Sequence, residues 1–131
     1  MVAENPTELE LLILKVLWEQ SPLTARQIRE MLAKRRRKLA HTSVITTLQS
    51  MVDKGQLDQL HPEVGKAYRF VPCLGEADVS GRMLGDLVER VFDGSAEAVM
   101  LSLFDVSDLD NDSLKRLRRA FNQKVREQNN G

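Results

Sequence analysis

Six short polar side chains are gathered in the stretch HTSVITTLQSMVDKG, residues 41–55: Thr42, Ser43, Thr46, Thr47, Gln49 and Ser50. Side chains of this length approach phosphates or base edges closely, a Thr methyl can meet a thymine methyl, and Gln pairs bidentately with adenine. If Val44, Leu48, Met51 and Val52 face a core, helical spacing turns the polar six outward. Just before them stand five consecutive cations, Lys34, Arg35, Arg36, Arg37 and Lys38, which would neutralise phosphates and release their counterions. Arg26, His41 and Lys54, with Lys66 and Arg69 further on, extend this candidate DNA-contact set. The bland alternatives are a solvated helix face, or a protein-interaction module of the same fold that binds no DNA.

Other chemistries find less support. Cys73 and the two histidines, His41 and His61, fall in separate predicted elements with no motif to orient a nucleophile and a base, so no catalytic site is expected. No histidine lies in a metal-ligand spacing, and the acidic stretch 105–112 lacks the Gly and terminal Glu of an EF-hand loop. The expectation is an exposed acidic loop capping the last helix, with neither metal nor cofactor. Arg116, Arg118, Arg119 and Lys124 read as a solvated helix face. A single cysteine excludes an internal disulfide, and 42% hydrophobic with 29% charged residues is globular composition rather than disorder. No apolar run approaches the roughly 20 residues that span a bilayer, and MVAENPTELE is acidic where a secretory signal would be basic, which predicts a cytoplasmic protein without membrane insertion.

The zero net charge conceals an asymmetry. Residues 1–72 carry eleven Lys and Arg against eight Asp and Glu, whereas residues 73–131 carry eight against eleven. A basic module joined to an acidic one suggests two tasks, one of them facing a polyanion.

The elements that would position these residues follow from hydrophobic period and punctuation. Asn5 as cap and Pro6 at the first position predict a first helix with Leu9, Leu12, Ile13, Val16 and Leu17 as its stripe, widened by Leu11, Leu14 and Trp18. Thr24 and Gln27 form a capping box for a second helix that buries Ala25, Ile28, Met31 and Leu32. A third helix runs from Thr42 as cap to Gly55, and the segments QLDQLHP and KAYRFVP around EVG predict a β-hairpin. Pro72, Cys73, Leu74 and Gly75 read as a domain boundary. Beyond it three helices are expected, over ADVSGRMLGDLVERVF, over AEAVMLSLF and from near Ser113 onward. Their apolar stripes contribute Met83, Leu84, Leu87 and Val91, then Met100 and Leu103, then Leu114, Leu117 and Phe121. So short a region makes a thin core, which a second copy of the chain would complete. The expected fold is mainly α with a small β-hairpin wing: a winged helix-turn-helix over residues 1–72 and a three-helix dimerisation domain over 73–131.

The strings ELELLILKVLWEQSPLTARQIREML, LAHTSVITTLQSMVDKGQLDQL, GKAYRFVP and LVERVFDGSAEAVMLSLF occur in that order. With them the chain resembles the penicillinase repressor family of the BlaI/MecI/CopY type from about Pro6 to about Gln123. The most specific parts are LW at 17–18, TSVITTL before KG at 54–55, AYRF, and FDGS at 92–95. The resemblance implies a winged-helix DNA-binding domain and a helical homodimerisation domain. It further implies repression at inverted-repeat operators, typically of β-lactam-resistance genes or of a membrane-bound sensor metalloprotease that acts as partner. By matching positions, Thr42, Ser43, Thr46 and Thr47 fall on the recognition helix and Lys66–Arg69 on the wing. Three departures stand out. Staphylococcal-type members often carry basic residues where Ile45 and Ser50 stand, which implies a different operator or heavier use of residues 34–38. Those members are inactivated by cleavage at an Asn-Phe bond, and the aligned pair here is Ser102 and Leu103. The copper-responsive branch has a C-terminal cysteine cluster that this chain lacks, so copper sensing is not expected.

Overall fold

The computed structural model describes residues 5–130. Among them, six helices and three short strands follow in the order α1 (Glu8–Glu19), β1 (Leu23–Thr24), α2 (Ala25–Lys34), α3 (His41–Asp53), β2 (Leu57–Leu60), β3 (Arg69–Pro72), α4 (Glu76–Val91), α5 (Ala96–Val106) and α6 (Asn111–Asn130). The chain is therefore mainly α with a small sheet, as its sequence predicts. It divides into two compact units, Met1–Gly85 and Asp86–Gly131, and the division falls inside α4.

α1 starts where Thr7 and Glu10 exchange hydrogen bonds. The Thr7 hydroxyl accepts from the Glu10 amide at 3.2 Å, and the Glu10 carboxylate accepts from the Thr7 amide at 3.0 Å. This capping box corrects the expected start, since Asn5 and Pro6 both precede the helix. Ile13, Leu14, Val16 and Leu17 are then sealed at 1% exposure or less, because α2, α3 and the sheet supply apolar partners on more than one side. α2 opens on the expected box between Thr24 and Gln27 and contributes Ala25, Ile28 and Leu32 to this core, with Met31 at its margin.

The start of α3 is a second correction. Its cap residue is Ala40, which offers no side-chain hydrogen bond, so Thr42 is the second helical residue rather than the cap. Its end is the expected one. Gly55 takes φ +78, its amide donates to the Val52 carbonyl at 3.0 Å, and the Gln56 amide donates to the Met51 carbonyl at 2.8 Å. These two bonds form the Schellman pattern that a left-handed residue after a helix allows.

The predicted hairpin is present, with Gln59 opposite Phe70 and Leu60 opposite Arg69. In its turn the Lys66 amide donates to the Glu63 carbonyl at 2.9 Å and Gly65 takes φ +81, the geometry of a type II turn, which requires φ above zero at its third residue. Sequence reading missed the two-residue β1, which pairs Leu23 with Phe70 and makes the sheet order β1-β3-β2. After the sheet, the Cys73 amide donates to the Gln56 carbonyl at 2.9 Å and the Trp18 indole donates to the Leu74 carbonyl at 2.7 Å.

In the C-terminal unit, the Ser95 hydroxyl caps α5 by accepting the Ala98 amide at 3.1 Å. α6 begins at Asn111, ahead of the expected Ser113, because the Asp110 carboxylate accepts the Ser113 amide at 2.8 Å. Of the acidic stretch, only residues 107–110 are loop. Val99 is the one buried residue among the described residues of this unit, and α6 buries none.

Candidate nucleic-acid interface

α3 turns Val44, Leu48 and Met51 into the core. Its opposite side carries His41, Thr42, Ser43, Thr46 and Gln49 exposed, with Thr47 and Ser50 half-buried at the edge. Thr42, Ser43, Thr46 and Thr47 line one open groove. The Thr47 hydroxyl donates to the Ser43 carbonyl at 2.8 Å, so its proton is engaged inside the helix. Among the described residues the side chains of Thr42, Ser43, Thr46, Gln49 and Ser50 make no such bond, and their donors and acceptors remain available to an external partner. The first-turn amides of α3 likewise have no side-chain acceptor, which leaves the positive end of the helix dipole open to an anion.

The basic run does not act as a block. Arg35 pairs with Glu19, and Arg37 lies 3.7 Å from Glu8, so these alternate residues turn back onto α1. Lys34, Arg36 and Lys38 are exposed and have no ion pair among the described residues. Arg36 adopts φ +65, which reverses the chain between the two paired arginines. Lys38 lines a cleft of about 690 Å³ with Arg26, Arg29, Glu30, Ala33, Leu39 and Ala40, at the entrance to α3. There the Arg29 side chain donates to the Leu39 carbonyl at 2.9 Å, pinning the connection between α2 and α3. Sequence reading missed Arg29, which has no local signal beyond lying on the polar side of α2.

Other candidate cations are also engaged. Arg26 pairs with Glu30 at 3.3 Å and Lys66 with Glu63 at 3.0 Å, both pairs well exposed and therefore weak and exchangeable. Arg69 is exposed and shares a groove with Thr24, Glu63, Lys66 and Ala67. Lys54 differs, because its ammonium meets the buried Glu10 carboxylate at 2.8 Å. Burial alone would raise the pKa of Glu10, but hydrogen bonds from Lys54, the Thr7 amide and Gln56, with the lysine charge, outweigh it and hold the carboxyl below its ordinary value. One carboxylate thus caps α1 and ties it to the end of α3, fixing the helix that carries the polar face.

His61 lies against Tyr68 in the hairpin, with ring centroids 6.2 Å apart and the planes tilted by 50°. Partial burial and the Asp58 carboxylate push the Cys73 thiol up, away from the thiolate that a nucleophile needs. Among the described residues no cluster of His, Cys, Asp and Glu could hold a metal ion.

Of the residues expected to pair two copies, Leu84, Leu87 and Val91 on α4 are exposed and Met83 is half-buried. On α5 and α6, Met100, Leu103, Leu117 and Phe121 line an apolar cleft of about 300 Å³ with Phe104 and Leu109, two residues that sequence reading did not single out. Leu114 is 40% exposed nearby in sequence on α6. Ser102 and Leu103 lie within α5, and the Leu103 side chain is 51% exposed.

A helix pair whose second member presents an unpaired polar face, followed by a hairpin, is the architecture of winged-helix transcription regulators. Residues 6–123 match the family described as Penicillinase repressor. The chain is also 33% identical over 116 residues, 87% of this chain and 80% of the relative, to proteins named Transcriptional regulator BlaI from two Mycobacterium tuberculosis strains, CDC 1551 / Oshkosh and ATCC 25618 / H37Rv. The protein belongs to the penicillinase repressor family. No described helix is long and apolar enough to cross a membrane.

Proposed function

We propose that this transcriptional repressor works as a homodimer on an inverted-repeat operator. Residues 1–72 bind DNA, with α3 in a major groove and the Lys66–Arg69 hairpin on the flanking backbone or minor groove. Residues 73–131 join two copies, and their two-fold axis sets half-sites about one helical turn or more apart. The regulated genes are of the β-lactam-resistance or membrane-metalloprotease type, and a membrane-bound sensor metalloprotease releases repression by cutting near Ser102 and Leu103. Because that pair lies inside α5, cleavage needs local unwinding first.

The observation that carries the DNA reading is the face of α3: short polar side chains, of which Thr42, Ser43, Thr46 and Gln49 are exposed and make no side-chain hydrogen bond among the described residues, beside a helix start without a side-chain cap and the cations Arg36 and Lys38, which have no ion pair among those residues. The exposed apolar stripes of α5 and α6 support the second copy. A gel shift with the promoter region of the protein's own gene tests the reading. A salt-sensitive shift that survives excess unrelated duplex, with two protomers per DNA, is expected. If no sequence-dependent shift occurs, the module binds protein rather than DNA.

A further inference from the structure

From residue 5 to residue 83, the large apolar side chains left exposed number three: Ile45 on α3, Val64 in the hairpin turn and Tyr68 just before β3. A single exposed apolar residue is ordinary on any protein surface. These three lie on the recognition helix and the wing, whereas the other large apolar residue exposed among the described residues of this unit, Leu84, stands on α4, and most of the remaining apolar side chains are gathered into one core. Meanwhile several cations expected to grip DNA, Arg35, Arg37, Lys54 and Lys66, are paired with carboxylates of the same chain. Besides Lys34, Arg36 and Lys38, what the proposed DNA face offers without an ion pair among the described residues is a set of short polar groups and these apolar side chains.

We propose that Ile45 determines specificity by packing on the C5-methyl group of one thymine in each half-site. This rests on the DNA-binding reading above. Ile45 is 40% exposed, at the margin of the outward face and one turn before Gln49. A rise of 1.5 Å per residue separates the two by about 6 Å along the helix, close to two base-pair steps of roughly 3.4 Å. A thymine under Ile45 and an adenine paired by Gln49 thus fit positions two base pairs apart in one site. The thymine methyl is the one large apolar group in the major groove. Burying it against Ile45 removes two apolar surfaces from water, whereas cytosine at that position presents an amino donor that isoleucine cannot satisfy. An arginine or lysine at position 45 would instead favour guanine or phosphate, so this single residue changes which sequence is read.

The test uses the full-length protein. Duplexes are selected from a random pool, and each thymine of the selected half-site is replaced in turn by deoxyuridine, which removes only the methyl. Affinity is measured for the wild type, Ile45→Val and Ile45→Ala. One thymine is expected at which methyl removal weakens the wild type about three- to tenfold. Ile45→Ala should lose a similar factor on the thymine duplex and nothing further on the deoxyuridine duplex, with Ile45→Val between. The wild-type comparison changes only the DNA, so it stands even if a variant folds poorly. Independent, multiplying losses, or a half-site in which no thymine responds, would overturn the role of Ile45 while leaving DNA binding intact. Failure to select any sequence would overturn the DNA-binding reading and this one together.

Discussion

α1 and α6 are both helices with an apolar stripe at three- and four-residue spacing, yet they end in opposite environments. Ile13, Leu14, Val16 and Leu17 of α1 are at most 1% exposed, while Leu114, Leu117, Phe121 and Val125 of α6 range from 37% to 55%. The pattern alone does not decide this, since both stripes satisfy the helical period. What decides it is the supply of partners. The first unit brings α2, α3 and a sheet to cover α1, and the second has too little chain to cover α6. The N-terminal unit, with three elements over α1, leaves mainly polar groups outward on α3, whereas the C-terminal unit leaves an apolar stripe outward, the surface that the proposed second copy would cover.

The strongest way to break this contrast is to charge the uncovered stripe. Phe121→Asp should abolish self-association, with a loss of about 3–4 kcal/mol at a central apolar anchor, while the N-terminal unit keeps its unfolding transition. Sedimentation equilibrium checks it. An unchanged dimer would mean that the stripe faces something other than a second copy.

Next in size is a perturbation of the closed core. Glu10→Ala removes the capping box and the partly buried ion pair with Lys54 and should cost about 2–3 kcal/mol in chemical denaturation. Glu10→Gln can still cap and should cost about 1 kcal/mol. The pH dependence follows from the sign of the shift. Glu10 is held below its ordinary value of 4.5, so its contribution is fully present above pH 4.5 and is lost as pH falls through the lower folded value. The Gln variant should lack that acid-side loss. Equal acid sensitivity in wild type and variant would remove Glu10 as its cause.

These two sites also mark where the sequence could and could not be read. The six helices announced themselves by period, and Thr24 with Gln27 and the turn around Gly65 by local chemistry. The Thr7 to Glu10 box was hidden behind a competing start signal, Asn5-Pro6. The burial of Glu10 depends on Lys54, 44 residues away, and so has no local trace. Thr42 has the chemistry of a good cap, but Arg29 holds the Leu39 carbonyl and the chain enters the helix at Ala40 instead. β1 is too short to show alternation. In the basic run, composition identifies five cations but cannot tell which of them meet Glu8 and Glu19.

On the polar face a smaller difference is expected. Thr46→Ala should weaken operator binding by about 1–2 kcal/mol while barely changing affinity for unrelated DNA. Thr47→Ala should do less, because the Thr47 hydroxyl already donates to the Ser43 carbonyl and can only accept from a base. Competition binding against the selected operator separates the two. A larger effect at Thr47 would mean that this internal bond breaks on binding.

The smallest effects fall in residues 34–38, where the contrast between satisfied and unsatisfied side chains recurs within five positions. Each phosphate contact contributes about one unit to the slope of log affinity against log salt. Lys38→Ala and Arg36→Ala should each lower that slope by about one, since neither has an ion pair among the described residues. Arg37 sits 3.7 Å from an exposed Glu8, a pair worth well under about 1 kcal/mol, so DNA can compete for it and its removal should lower the slope in part. Arg35 is more enclosed against Glu19 and should change the slope least. Salt titrations of the four single variants give this ranking directly. Equal slopes for all four would mean that the pairs with α1 dissolve on binding and that the run acts as one undivided charge.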